Sequence, residues 1–153
     1  MTGVGIIEVN GDRVTPVYYD AIKAGSGEFT ERLGIIFSEL RQLIKEHRPD
    51  QAAIETVFVA HNAASAIKLG QARGAAVCAA ISCDVPVSEY SPRSIKQAIV
   101  GRGGADKTQV QHMVGLLLGI KEPIQNDAAD ALAVALCHQH TSHTLARMAM
   151  MQG

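Results

Sequence analysis

What this 153-residue chain lacks narrows the field before anything it contains. No apolar run reaches the roughly 18 residues that a membrane-spanning helix needs, and the N-terminus has neither the basic start nor the cleavage site of a secretory signal. The expectation is a soluble cytoplasmic protein with no membrane partner. Cysteine is scarce: Cys78, Cys83 and Cys137 are odd in number and lack metal-like spacing, which argues against a disulfide framework and leaves buried thiols. His138, His140 and His143 have no cysteine partners at zinc spacing either, so they read as surface histidines. There is no internal repeat, and no overall excess of one charge: 14 Lys and Arg stand against 15 Asp and Glu.

Present instead is a 47% apolar composition that suits one folded domain, taken as residues 1–140, with 141–153 as a tail of no assigned structure. The charge is unevenly spread. Up to Ala60 six basic residues meet nine acidic ones, whereas from His61 to Lys121 seven basic residues (Lys68, Arg73, Arg93, Lys96, Arg102, Lys107, Lys121) meet only Asp84, Glu89 and Asp106. Folded onto one face, such a block attracts polyanions although the whole chain is near neutral. Scattered over the surface, it is an ordinary solvated exterior.

Residues 4–9 and 14–24 are β-branched runs flanking Asn10-Gly11-Asp12, the signature of an antiparallel hairpin. Phe29, Leu33, Ile36, Phe37, Leu40, Leu43 and Ile44 fall at helical spacing and predict an amphipathic helix that ends near His47-Arg48-Pro49. A strand over 50–55 and a small-residue helix over 63–81 follow; Gly70 and Gly74 share a face of that helix, where a second backbone could come close. Residues 85–89 alternate as a strand. Ser91-Pro92 caps a helix over 93–99, a helix over 106–118 turns Val110, Met113, Val114, Leu117 and Leu118 inward, and Asn126-Asp127 opens a last helix to about 138. Strands interleaved with helices mean an α/β layer fold.

The chemistry concentrates where the strand over 50–55 ends on Glu55, because a charge closing a buried strand must meet a cation or solvent. Asp127 and Asp130, three apart in the first turn of the last helix, share one face. Alone, such a pair is a helix cap that satisfies free amides and complements the dipole. The apolar Ala131-Leu-Ala-Val-Ala-Leu136 that follows buries the helix, however, so its mouth could face Glu55 at the sheet edge. Three converging carboxylates repel, and hard divalent ions relieve them; two such ions about 4 Å apart serve phosphodiester cleavage. Nucleic acid is the natural substrate of that arrangement.

The run IETVFVAHNAASAIKLGQARG from Ile54 leads into Val87-Ser-Glu-Tyr90, Ile95-Lys96-Gln97 and Val100-Gly101. With Lys107-Thr-Gln-Val-Gln-His-Met113 and Asp127-Ala-Ala-Asp130-Ala-Leu-Ala, these stretches resemble, in order and over nearly the whole chain, the bacterial RuvC family of Holliday-junction resolvases. The resemblance implies an RNase H-like mixed sheet flanked by helices, a homodimer, and magnesium-dependent, paired symmetric nicking of four-way DNA junctions in recombination and repair. It also implies cooperation with the family's branch-migration complex. Glu55, Asp127 and Asp130 match the family's metal ligands, with two magnesium ions per site. Phe58 matches the aromatic used against unstacked bases, a role an exposed phenylalanine beside a phosphate site can fill; otherwise it is a core residue. Lys96 and Lys107 match basic residues near the scissile phosphate, and with Phe58, Lys68 and Arg73 they make the candidate DNA-binding set. The helix bearing Gly70 and Gly74 matches the dimer-forming helix, and a two-fold dimer suits a symmetric cut.

One family feature is not in this sequence, which starts Met1-Thr2-Gly3: the first strand with its Gly-Ile-Asp-Pro-Gly motif and the aspartate that binds metal. The expectation is a sheet lacking its first, interior strand, with two inner edges unpaired, and weak or absent cleavage. Either the start lies at an internal methionine of a protein longer by about 10 to 20 residues, the favoured alternative, or the chain is a catalytically inactive junction-binding or scaffolding dimer. An actin-like phosphotransferase is set aside, because Gly101-Arg-Gly-Gly104 is not a phosphate loop following a strand.

Overall fold

The protein is described from a computed structural model that covers residues 1–56 and 62–153. The hairpin forms as its turn chemistry dictates. Strand β1 (Thr2–Asn10) pairs antiparallel with β2 (Arg13–Ile22) across Gly11-Asp12, and Gly11 takes φ +64, the left-handed conformation that a two-residue hairpin turn asks of its first residue. Between Ile6 and Ile7 the register steps from Tyr18 to Pro16. The bulge leaves Val17 unopposed and accommodates a proline within the strand.

Helix α1 (Phe29–His47) stops where the sequence pattern stops: Arg48 turns left-handed at φ 47 and its N–H bonds to the Ile44 carbonyl at 2.8 Å, with Pro49 next. Strand β3 (Ala52–Glu55) follows. Helix α2 (Ala63–Ser82) begins at Asn62, whose side chain accepts from the Ala64 N–H at 2.9 Å, and packs on α1. Strand β4 (Val87–Tyr90) lies parallel to β3 in the register Ala52 to Val87 through Glu55 to Tyr90. The ladder runs on at both ends through Ala52 N–H to Pro86 and Thr56 N–H to Tyr90. Ser91 caps α3 (Pro92–Val100), and a reciprocal box between Asp106 and Gln109 caps α4 (Lys107–Leu118).

Helix α5 (Asn126–Met151) is the element on which the rest converges. It touches all four strands as well as α3 and α4, and Leu132, Ala133, Val134, Leu136 and Cys137 form the main core with Ile95, Ile99, Val110, Val114 and Leu118. Three expectations change here. The last helix does not end near residue 138 but continues through the segment read as a tail, because no glycine or proline interrupts it before Met151. Leu117, expected inward, is 51% exposed: Val110, Val114 and Leu118 hold the core stripe, and its neighbour stands about 100° round the helix from Leu118. Of the three thiols only Cys137 is buried; Cys78 is exposed on α2.

The described strands form two separate two-stranded sheets, β1-β2 and β3-β4. β1 and β3 thus each have a strand on one side only, and both line one cavity of about 1380 Å³. That matches the expectation of two unpaired inner edges. On its other flank β1 lies hard against α5: a Cβ on Gly3 would collide with the Asp127 carbonyl, and one on Gly5 would come within 2.8 Å of the Leu132 nitrogen. Only glycine allows that approach.

Candidate active site

Glu55 is the last residue of β3, and Asp127 and Asp130 stand in the first turns of α5; all three line the cavity between the two sheets. Neither aspartate caps its helix. That position belongs to Gln125, whose side-chain oxygen accepts from the Ala128 N–H at 2.8 Å and whose amide donates to Asp127 Oδ2 at 3.0 Å. Glutamine is not among the preferred caps, so sequence reasoning missed it. Its consequence is that both carboxylates are left for other work, and Asp127 is oriented by a neutral donor.

The electrostatics tie the acids to the predicted lysines. Glu55 opens to the cavity, yet partial burial raises its pKa above the ordinary carboxylate value; Asp130 adds to the rise, and Lys107 and Lys96 counter it. Lys107, the first residue of α4, meets Asp130 at 3.0 Å. The capping box fixes the turn that presents it. Lys107 thus faces Asp130 from α4, and Lys96 on α3 is near enough to Glu55 for its charge to act there.

Other predicted residues stand elsewhere. Arg73 is only 24% exposed in its side chain; it pairs with Glu89 at 2.5 Å and donates from Nε to the Glu55 carbonyl at 3.4 Å, bracing β3 from its α2 side. Lys68 lies over the Phe29 ring, 5.7 Å from its centre. Phe58 lies outside the described residues. Gly70 and Gly74 face open space, so that stretch of α2 can admit a second backbone. Among the described residues no three His, Cys, Asp or Glu side chains close into a group that could hold a metal ion. Glu55, Asp127 and Asp130 offer the oxygen ligands a hard divalent cation prefers, but share one cavity without closing round a point.

A parallel strand ending on a carboxylate and covered by a helix that opens on two more, with Lys107 against Asp130, defines an α/β protein with an acidic site. Comparison with known proteins narrows this class. The family model described as crossover junction endodeoxyribonuclease RuvC matches residues 1–138. The RuvC of Xanthomonas oryzae pv. oryzae (strain MAFF 311018) is 52% identical over 145 residues, covering 94% of this chain and 83% of that protein. That of Marinobacter nauticus is 51% identical over 153 residues, covering 100% and 87%. The solved structure of T. thermophilus RuvC in complex with Holliday junction substrate superposes with a TM-score of 0.87 at 34% identity, covering 93% of this chain and 88% of that one. The chain belongs to the RuvC family, and its fold is the RuvC-like α/β arrangement of mixed strand pairs flanked by helices.

Proposed function

We propose that this chain is a structure-selective endonuclease that resolves four-way DNA junctions by paired symmetric nicks in recombination and repair. The observation that carries the proposal is the cavity between the two sheets, with Glu55, Asp127 and Asp130 in its wall and Lys107 against Asp130. Glu55, Asp127 and Asp130 would hold the metal, magnesium by its preference for oxygen, two ions per site. Such ions supply a polarised phosphate and an activated water.

The chain's own residues do the rest. Burial and the neighbouring Asp130 both disfavour the bare charge of Glu55 and raise its pKa, and a bound cation would relieve that cost. Lys107 and Lys96 act as point charges on the phosphate and on charge developing during cleavage, and Lys107 exchanges Asp130 for phosphate as DNA enters. Phe58, from its sequence position, stacks on unpaired bases. Lys68 extends the DNA track; Arg73 serves it indirectly, by bracing the Glu55 strand. A homodimer through the Gly70–Gly74 face of α2 presents two equivalent sites, and a branch-migration complex delivers the junction. The working compartment is the cytoplasm.

A second reading, a junction-binding dimer that does not cut, is favoured by one observation: no three ligands close among the described residues while Lys107 occupies Asp130. On this ground nicking by the 153-residue chain is expected to be weak.

One experiment tests both. The purified chain is titrated onto four-way and duplex DNA in chelator, then given magnesium and the products mapped. Tenfold or greater preference for the junction, followed by weak symmetric nicks, is the expected result; vigorous nicking that Glu55→Gln abolishes would overturn the expectation of weak cleavage. Preference without nicks selects the binder. Equal affinity for duplex overturns both.

A further inference from the structure

Away from the acids, on the same face of α5, a chain of side-chain hydrogen bonds joins three elements. The Tyr90 hydroxyl at the end of β4 lies 2.6 Å from His138 Nδ1, and His138 Nε2 lies 2.5 Å from Gln51 Oε1, one residue before β3. A carbonyl oxygen only accepts, so Nε2 carries hydrogen and donates to Gln51; in the neutral ring Nδ1 is the lone-pair nitrogen and accepts from the Tyr90 hydroxyl. A neutral imidazole satisfies both bonds, and burial pushes the His138 pKa down in the same sense.

Distances along the two backbones give the bridge its consequence. Asp130 and His138 are eight residues apart on one helical face, with Val134 between, which is about 12 Å of helix. Glu55 and Gln51 are four residues apart, about 13 Å of strand. α5 packs on both β3 and β4, with its N-terminal acids at the Glu55 end and His138 at the Gln51 end. His138 therefore ties α5 to the start of β3 through Gln51 and, through Tyr90, to the end of β4 that stands level with Glu55. A slip of one residue at the pin moves Asp130 along β3 by about 1.5 Å, the rise per helical residue, enough to change how two carboxylates share a cation.

We propose that His138 is a positioning residue: as a neutral imidazole bonded to Tyr90 and Gln51 it docks α5 on the parallel strand pair and sets where Asp127 and Asp130 stand relative to Glu55. This rests on the reading of those three acids as joint ligands. It gives Tyr90, the register partner of Glu55, a task beyond pairing in the sheet.

The test has one readout free of metal and one with it. In the ¹⁵N-labelled 153-residue chain at pH 7.5, the His138 imidazole is expected as the Nε2–H tautomer with a hydrogen-bonded Nδ1. Tyr90→Phe, which removes only a hydroxyl, should shift that nitrogen and speed amide exchange at residues 127–130 several-fold. Manganese alone, followed by electron paramagnetic resonance, should bind about tenfold more weakly to Tyr90→Phe and to His138→Leu, and the double variant should be no weaker than either. Leu118→Ala, which loosens the core at a distance, should lower the melting temperature and leave manganese affinity unchanged. A cationic or Nδ1–H imidazole, unchanged exchange in Tyr90→Phe, additive losses, or an equal loss in Leu118→Ala each overturns the proposal. If the unmodified chain binds no manganese, the metal reading fails, and the tautomer and exchange results alone decide for or against the bridge.

Discussion

The two strand pairs of this protein differ in almost every way that matters to its chemistry. The β1-β2 hairpin is long, antiparallel and closed by a two-residue turn between chain neighbours, so its register is set locally by Gly11. The β3-β4 pair is four residues long and parallel, and reaches its register only after helix α2 has returned the chain. Yet the short pair carries Glu55, is braced by Arg73 on one side and is pinned to α5 on the other. The lesson is that position in this site is held by long-range contacts, while the self-sufficient hairpin serves as a wall. It also explains why α5 is so rich in alanine where it meets β1: two glycines in the strand and small residues on the helix let their backbones nearly touch.

Substitutions can sharpen that contrast. The largest effect is expected at the parallel pair's end: Glu55→Gln should reduce the weak nicking of a four-way junction to background, as loss of a site carboxylate would, while junction affinity in chelator changes little. A comparable fall in binding would instead make Glu55 a structural residue. Leu132→Ala comes next, because this fully buried side chain is shared by the main core and the β1 contact; chemical denaturation should show a loss of about 2 to 5 kcal/mol. Gly11→Val attacks the hairpin alone. Forcing a β-branched residue to φ +64 should cost about 1 to 3 kcal/mol, with junction preference retained; loss of that preference would show that the hairpin does more than form a wall.

The smallest expected effect is a pH dependence at the pin. Burial lowers the His138 pKa from 6.5 in the folded chain. Above pH 6.5 both folded and unfolded forms are neutral there and its contribution is fully present. As pH falls, the unfolded chain takes up the proton first, so the contribution is lost as pH drops through the folded value. Melting temperatures measured from pH 7.5 to 5.5 should fall more steeply for the unmodified protein than for His138→Gln. Parallel curves would remove His138 from the pH response.

Much of the site was legible in the sequence because its signals are local. Glu55 ends a strand-like run, Asp127 and Asp130 share a helical face, and Ser91-Pro92 announces the turn before Lys96; the Asp106–Gln109 box before Lys107 showed only in the fold. What escaped depends on partners far along the chain. Gln125 lacks the propensity of a usual cap, and only the fold shows it taking that place from the aspartates. Arg73 read as one more basic residue of a DNA-facing block until Glu89 was found opposite it. His138 read as a surface histidine, since nothing near it in sequence names Tyr90 or Gln51, 48 and 87 residues away.

By itself, then, the sequence determined most of the elements, the hairpin turn, the Ser91 cap and the family, and it nominated the three acids and two lysines, because each is written in spacing within a few residues or in an ordered run of motifs. Tertiary structure alone decided that the strands stand as two pairs about one cavity, that Lys107 answers Asp130, that Arg73 turns inward, and that α5 is pinned at His138. Those are outcomes of packing and of hydrogen bonds between groups distant in the chain. No local pattern encodes them, because the free energy that selects them is realised only when the layers meet.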